Sequence, residues 1–403
     1  MALAASACVP VEPVDPLVDA DVALGQSYDS EPAFRRKLLE ASIVNPDNGY
    51  SALRLDRYDE AGWGALPTFN PRARPVVLGD IGLERPEEDL SGWGALDVEG
   101  TPWERSALIA LGREAFFSYP ISSGLLSAAL RSPEGPARYG LWVDDAGQVG
   151  GLVWSEQARG ERGLSATCAT CHAAPAPGDP EGVVIAGLNN GRLDLGAITR
   201  DSALGSVGPR SAWGPGRVDV TGDDLDNPVA ITDLRAIRHQ THLHRAATLR
   251  NSLGALAVRV ETLLITSLNE RQRPPRKLAF ALALYLWDLD PGVDTGALDP
   301  EGLAIFEARC ASCHAPPTFA GPPVPVDLVG TDPTVALSPD RATGSWRVPS
   351  LIGVKDRSPL TASGATRTLD DLFDPDREAP GHPFGLDLGE ADRASLLELL
   401  KSL

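Results

Sequence analysis

Apolar residues recur at helical spacing in five stretches of this chain, and most of the stretches have legible ends. Leu108, Leu111, Ala115 and Phe116 share one face of a segment that opens at Thr101–Pro102–Trp103–Glu104. Thr101 suits a cap, Pro102 the first helical position, and Glu104 the reciprocal position of a capping box. A second stripe (Leu249, Leu253, Leu256, Val260, Leu263, Leu264) predicts a helix over 246–268, which Arg273–Pro274–Pro275 breaks. The next helix covers 276–289 and is ended by Asp290–Pro291–Gly292. Asp299–Pro300 then supplies a cap and an N1 proline for a helix leading into Cys310. The last helix covers about 390–402, with Leu396, Leu397, Leu400 and Leu403 turned inward.

Other stretches are less regular. Residues 9–102 are rich in Pro, Asp and Gly, and Trp63–Gly64–Ala65–Leu66 is echoed at Trp93–Gly94–Ala95–Leu96. Two copies do not make a solenoid, so this region is expected to be a loop-rich N-terminal extension packed irregularly on the remainder of the chain. Alternating segments at 140–143 and 151–154 predict a small hairpin. The expected fold class is therefore all-α with long loops.

At 403 residues the chain has room for two or three domains. A formal charge of −19 would repel nucleic acid phosphates. Four lysines make no basic patch for an anionic membrane surface. The longest apolar run, Leu278 to Trp287, is far too short to cross a bilayer and reads as a core helix. Residues 1–8 resemble the tail of an export signal, because Ala5–Ser6–Ala7 is an Ala-x-Ala cleavage pattern. Cys8 directly after it also resembles a lipoprotein box, so any membrane attachment is expected through a lipid on Cys8. Localisation is then periplasmic or outer-membrane-anchored.

The other four of the five cysteines carry the chemistry. They stand in Cys168–Ala169–Thr170–Cys171–His172 and Cys310–Ala311–Ser312–Cys313–His314. In c-type attachment two thiols add across the haem vinyl groups and the adjacent histidine becomes an iron ligand. Two covalently bound haems are therefore expected, with His172 and His314 as proximal ligands. A shared four-cysteine zinc site would need the pairs to converge and would leave both histidines without a role.

Met1 is the sole methionine, so neither iron can have the His/Met ligation that raises potential. The remaining histidines are His239, His242, His244 and His382. His382 lies in the loop before the last helix, where small cytochrome folds present a distal ligand, and is the candidate for the second haem. His244 and His242 precede the long helix and are the candidates for the first haem. Arg113, Arg192, Arg250 and Arg347 are candidate partners for haem propionates. Trp287 is a candidate aromatic relay, or simply a core residue.

Several motifs resemble the bacterial di-haem cytochrome c peroxidase and MauG superfamily. They are Leu111–Gly112–Arg113–Glu114–Ala115–Phe116–Phe117, the surroundings of Cys310, Val348–Pro349–Ser350–Leu351–Ile352–Gly353–Val354, and Thr368–Leu369–Asp370–Asp371–Leu372. Gly381–His382–Pro383–Phe384–Gly385 resembles the rubber-oxygenase-like branch, in which such a histidine ligates the second haem. The resemblance covers about 103–403 and implies two cytochrome-c-like haem domains, 103–292 and 293–403. It also implies Ca2+, and a small redox protein, a cytochrome or cupredoxin, as electron donor. The activity it implies is electron transfer with peroxide or O2 reduction at the first haem. A pure bis-histidine carrier and a haem oxygenase are the alternatives. The chain departs from the peroxidase pattern where Gly254 and Ala255 stand in place of glutamates. Only His242, His244 or Arg245 is then left to move protons over the first haem.

Overall fold

The computed structural model describes residues 16–83, 91–123, 126–157, 161–179, 181–202, 213–219, 221, 225–293 and 298–403. The export-signal and lipoprotein readings, with Cys8, lie outside the described residues.

Four of the five expected helices form close to their predicted bounds, and the fifth starts later. Arg105–Ser118 (α4) begins at Glu104 rather than Thr101, because the Thr101 hydroxyl donates to the carbonyl of Asp97 instead of capping. The helix expected from 246 starts at Leu253, capped by Ser252, whose side chain accepts from the Ala255 N–H at 3.1 Å. The residues before it are spent on a two-strand ladder pairing Leu249 with Leu243 and Arg250 with His242. Arg276–Asp288, Pro300–Arg309 and Glu390–Ser402 form as expected. Asp299 caps the Pro300 helix by accepting from the Gly302 N–H at 2.6 Å.

The all-α expectation is wrong, and so is the loop-rich start. Three helices occupy the N-terminal region: α1 (Pro16–Ser30), α2 (Pro32–Ser42) and α3 (Gly49–Arg57). The prolines and polar residues there sit at helix ends, where they promote helices rather than break them. Pro32 opens α2, and Asn48 caps α3 by accepting from the Ser51 N–H at 2.8 Å.

The sheet is the larger correction. β1 (Ala73–Val77), β2 (Ser122–Ser123), β3 (Gln148–Glu156) and β4 (Arg162–Ala166) form a four-stranded antiparallel sheet in the order β1-β3-β4-β2. Of the expected hairpin only the 151–154 segment forms a strand, inside β3; its partner is β4, pairing Val153 with Ser165 and Ser155 with Gly163, while 140–143 contributes only a Val143–Val149 bridge. The interior residues of β3 are buried on both faces, so apolar alternation marks only part of its length. Smaller ladders add further strand, including Gly321–Pro325 against Ser345–Val348.

Packing groups these elements around separate cores. The largest is built on Arg276–Asp288, whose residues Lys277 to Leu286 are all buried. Against it lie α1, α4 and the Leu253–Ser267 helix. Gly112 of α4 faces the Ala281 carbonyl, which a Cβ would meet at 2.1 Å, so the two helices touch through backbone. A second core lies under the sheet around Leu152, Leu193 and Ile198. A third joins Phe306 and Phe319 to Leu396, Leu399 and Leu400 of the last helix. Full burial of such a side chain contributes about 1.5–3 kcal/mol.

Candidate functional site

The first Cys-x-x-Cys-His motif opens a short helix, Cys168–His172, directly after β4. Gly151 on β3 holds it there. The Thr167 N–H and hydroxyl and the Thr170 hydroxyl all donate to the Gly151 carbonyl, at 3.1, 2.8 and 2.9 Å. Gly151 has φ +65°, and a Cβ on it would meet the Thr170 nitrogen at 2.5 Å. Burial pushes both the Cys168 and Cys171 thiols up to about 12, so they are neutral rather than thiolate. The His172 imidazole is pulled down to about 4, first by burial. Its Nδ1 lies 2.8 Å from the Thr232 carbonyl, the geometry of an N–H donor. That bond fixes the tautomer and leaves Nε2 as a lone pair, as a metal-ligating histidine requires.

The second motif is placed differently, at the C-terminal end of Pro300–Arg309, where the Cys310 N–H donates to the Phe306 carbonyl. The chain turns there, with the His314 N–H donating to the Cys310 carbonyl at 2.9 Å. His314 Nδ1 lies 3.2 Å from the Phe319 carbonyl, again freeing Nε2. Burial lowers its pKa to about 4. Cys310, Cys313, His314 and His382 line one largely apolar cavity of about 1330 Å³, its open mouth included.

His382 faces His314 across this cavity, with ring centroids 6.5 Å apart and planes tilted by 53°. Two metal–nitrogen bonds of about 2 Å and two imidazole radii of about 1.2 Å add up to about 6.4 Å. The spacing therefore suits one metal atom held between the rings. His382 reaches this position through a left-handed backbone, φ 49°, pinned by its N–H donating to the Val329 carbonyl at 2.8 Å. Phe373 and Phe384 meet its ring at steep angles. Its Nδ1 is buried with no hydrogen-bond partner among the described residues, and burial lowers its pKa to about 4.

Three arginines from outside the motif complete this cavity. Arg347 brings a buried Nε that has no acceptor among the described residues, and burial lowers its pKa to about 9. A buried guanidinium nitrogen left without an acceptor in an apolar wall is costly, and a haem propionate would supply one. Arg357 donates to the carbonyls of Ser350 and Ile352 and to the Asp233 carboxylate at 3.1 Å. Arg245 donates to the carbonyls of Ala230 and Ile231. The donor set, the facing imidazoles and the unmet Arg347 Nε all fit a c-type haem.

One segment, 230–235, joins the two motifs. Its Ala230 and Ile231 carbonyls hold Arg245, its Thr232 carbonyl holds His172, and its Asp233 holds Arg235 and Arg357. Sequence reasoning missed it, because backbone carbonyls leave no side-chain signature. Asp233 and Arg357 are also ordinary in composition.

The remaining candidates scatter. Arg245 lines the second cavity and also acts electrostatically on His172 of the first motif. His242 sits on the ladder opposite Arg250, its Nδ1 3.0 Å from the Thr241 hydroxyl. His244 has φ 62° and turns its ring onto Tyr50, while Arg259 donates to its Nε2. His239 is paired with Asp290 at 2.7 Å. Arg250 donates to the Ile43 carbonyl, and Trp287 is half-buried against the largest core. The two cysteine pairs do not converge: among the described residues no group of three or more His, Cys, Asp or Glu could hold a metal ion.

No family model matches the chain, and no curated protein matches it. Among solved structures it is similar to a MauG-like protein associated with microbial copper homeostasis, with a TM-score of 0.35 and 16% identity. That similarity covers 47% of this chain and 78% of the other. It amounts to a partial structural likeness, and the haem reading stands on the geometry of the two motifs.

Proposed function

We propose that the chain is a di-haem c-type cytochrome whose second centre is a bis-histidine electron-transfer site. One haem is held through Cys310 and Cys313 between His314 and His382, the other through Cys168 and Cys171 under His172. The observation that carries this reading is the pair of facing imidazoles, 6.5 Å apart, in the cavity that also presents Cys310 and Cys313. A bound haem supplies a one-electron couple. The chain's own residues orient the imidazoles, exclude water with Phe373 and Phe384, and offer Arg347 as a counter-charge. With two nitrogen ligands and no methionine, the second centre is a low-potential one. A small cytochrome or cupredoxin suits the role of electron donor.

Reduction of peroxide or O2 at the first centre is a second reading, favoured by one observation. Arg259 occupies Nε2 of His244, so that histidine is an acceptor here rather than a free ligand. One of the two histidines expected opposite the first haem is thereby withdrawn as a ligand, which favours a small molecule there over His244.

Replacing His382 tests the main reading. The His382→Met holoprotein should keep both haems attached, and the midpoint potential of one should rise. An unchanged spectrum and potential would remove His382 from the ligand set.

A further inference from the structure

Arg245 reaches toward both motifs. It lines the second cavity, while its Nε and Nη2 donate to two successive peptide carbonyls, Ala230 at 2.7 Å and Ile231 at 3.2 Å. The next carbonyl along the chain, that of Thr232, accepts from Nδ1–H of His172 at 2.8 Å. An unbroken run of covalent and hydrogen bonds therefore leads from the wall of the second cavity to the imidazole of the first motif. It passes through the guanidinium and three consecutive peptide carbonyls.

The surrounding backbone keeps this run in place. Ala230 and Ile231 are buried. The Ala230 N–H donates to the carbonyl of Ala362, another residue of the cavity wall, at 3.0 Å, and the Ile231 N–H to the Gly216 carbonyl at 2.8 Å. Beyond Thr232, the Leu234 N–H donates to the Gly187 carbonyl at 2.8 Å, and the Gly187 N–H to the His172 carbonyl at 2.7 Å. Arg245 is held at its own root, where its carbonyl accepts from the Arg347 N–H at 2.8 Å. The segment thus has supports besides Arg245, which supplies the side-chain fork that precedes Thr232. A planar guanidinium spans two neighbouring carbonyls, whereas an ammonium is a point donor. Both acceptors of the fork are uncharged. Burial, then Arg357, lowers the pKa of Arg245 to about 10, which leaves it a cation at neutral pH.

We propose that Arg245 is a positioning residue shared by the two centres: its fork aims the Thr232 carbonyl at His172, and its charge acts on the haem of the second cavity. The inference rests on the proposed haem attachment. A carbonyl on Nδ1–H makes an imidazole a more basic ligand, which favours the ferric state of the first haem. A cation in the wall of the second cavity favours the ferrous state of the second haem, which carries one positive charge fewer. One side chain therefore adjusts two potentials by two separate means.

The test uses holoprotein whose haems have been counted by the pyridine haemochrome method, so that missing haem is recognised as a failure of the attachment reading. The second haem is identified as the one whose potential moves in His382→Met. Arg245→Lys keeps the charge and loses the fork. In it the potential of the first haem should rise while that of the second stays. The Nδ1–H proton of His172, followed by NMR, should exchange with solvent about tenfold faster, the loss expected for one neutral hydrogen bond. Arg245→Gln removes the charge as well, and the potential of the second haem should then fall. If Arg245→Gln does not fold, Arg245→Lys decides alone, through the first potential and the exchange rate. An unmoved first potential or exchange rate in Arg245→Lys overturns the proposal, and so does an unmoved second potential in folded Arg245→Gln. Lowered thermal stability with both potentials unmoved would leave Arg245 a structural support only.

Discussion

At the scale of single residues, the chemistry rests on how three imidazoles are held. His172 and His314 each commit Nδ1 to a backbone carbonyl, leaving one lone pair to offer. The motifs themselves announce both histidines, but their acceptors come from elsewhere: Thr232 lies 60 residues beyond His172. His382 was legible as a loop histidine before the last helix, whereas its inward aim depends on a left-handed backbone that no spacing reveals. Arg347, one of four candidate arginines, is the one the fold brings to the second cavity. All three imidazoles have folded-state values lowered to about 4 by burial. The unfolded chain therefore binds more protons than the folded one between about pH 6.5 and pH 4. Their contribution to stability is complete above pH 6.5 and is lost as pH falls toward 4. Urea unfolding of the haem-free chain, whose imidazoles are free to protonate, should show a midpoint that drops over that interval; a midpoint that is flat or rises on acidification would contradict this.

At the scale of elements, two backbone devices position the sites. β3 carries Gly151, whose carbonyl takes three hydrogen bonds from Thr167 and Thr170 and seats the first motif. Gly151→Ala places a Cβ against the Thr170 nitrogen at a positive φ, at a cost of about 1–3 kcal/mol. The expected result is loss of haem from the first motif with the second still loaded, read as haem stoichiometry falling from two toward one. Full loading would show that β3 does not seat the motif. The 230–235 segment is the other device. Asp233→Asn removes the carboxylate shared by Arg235 and Arg357; Asp356 still pairs Arg235, so the charge freed on cavity-lining Arg357 should raise the potential of the second centre. Potentiometric titration checks this, and an unchanged potential would contradict it. The helices of the cores were legible because each buries one stripe and has a cap or a proline at its start. β3 was legible only at 151–154, because its glycines and its two buried faces erase the alternation over the rest. The N-terminal helices were not legible, because their prolines mark starts and were counted as breaks.

At the scale of the whole molecule, charge is divided by depth. The chain carries a net −19, yet Arg54, Arg235 and Arg341 are buried, and Arg245, Arg347 and Arg357 line the second cavity. An acidic exterior favours encounter with a basic redox partner, while some interior guanidiniums already have carboxylates, Arg235 with Asp233 and Asp356 and Arg357 with Asp233. That division could not be read from composition, which sums both. Low-temperature EPR of the fully oxidised holoprotein, integrated against its total haem, tests the central claim most directly. The account predicts two haems per chain, with a low-spin bis-histidine signal accounting for at least one iron. A chain without covalent haem, or one whose irons are all high-spin, would contradict it.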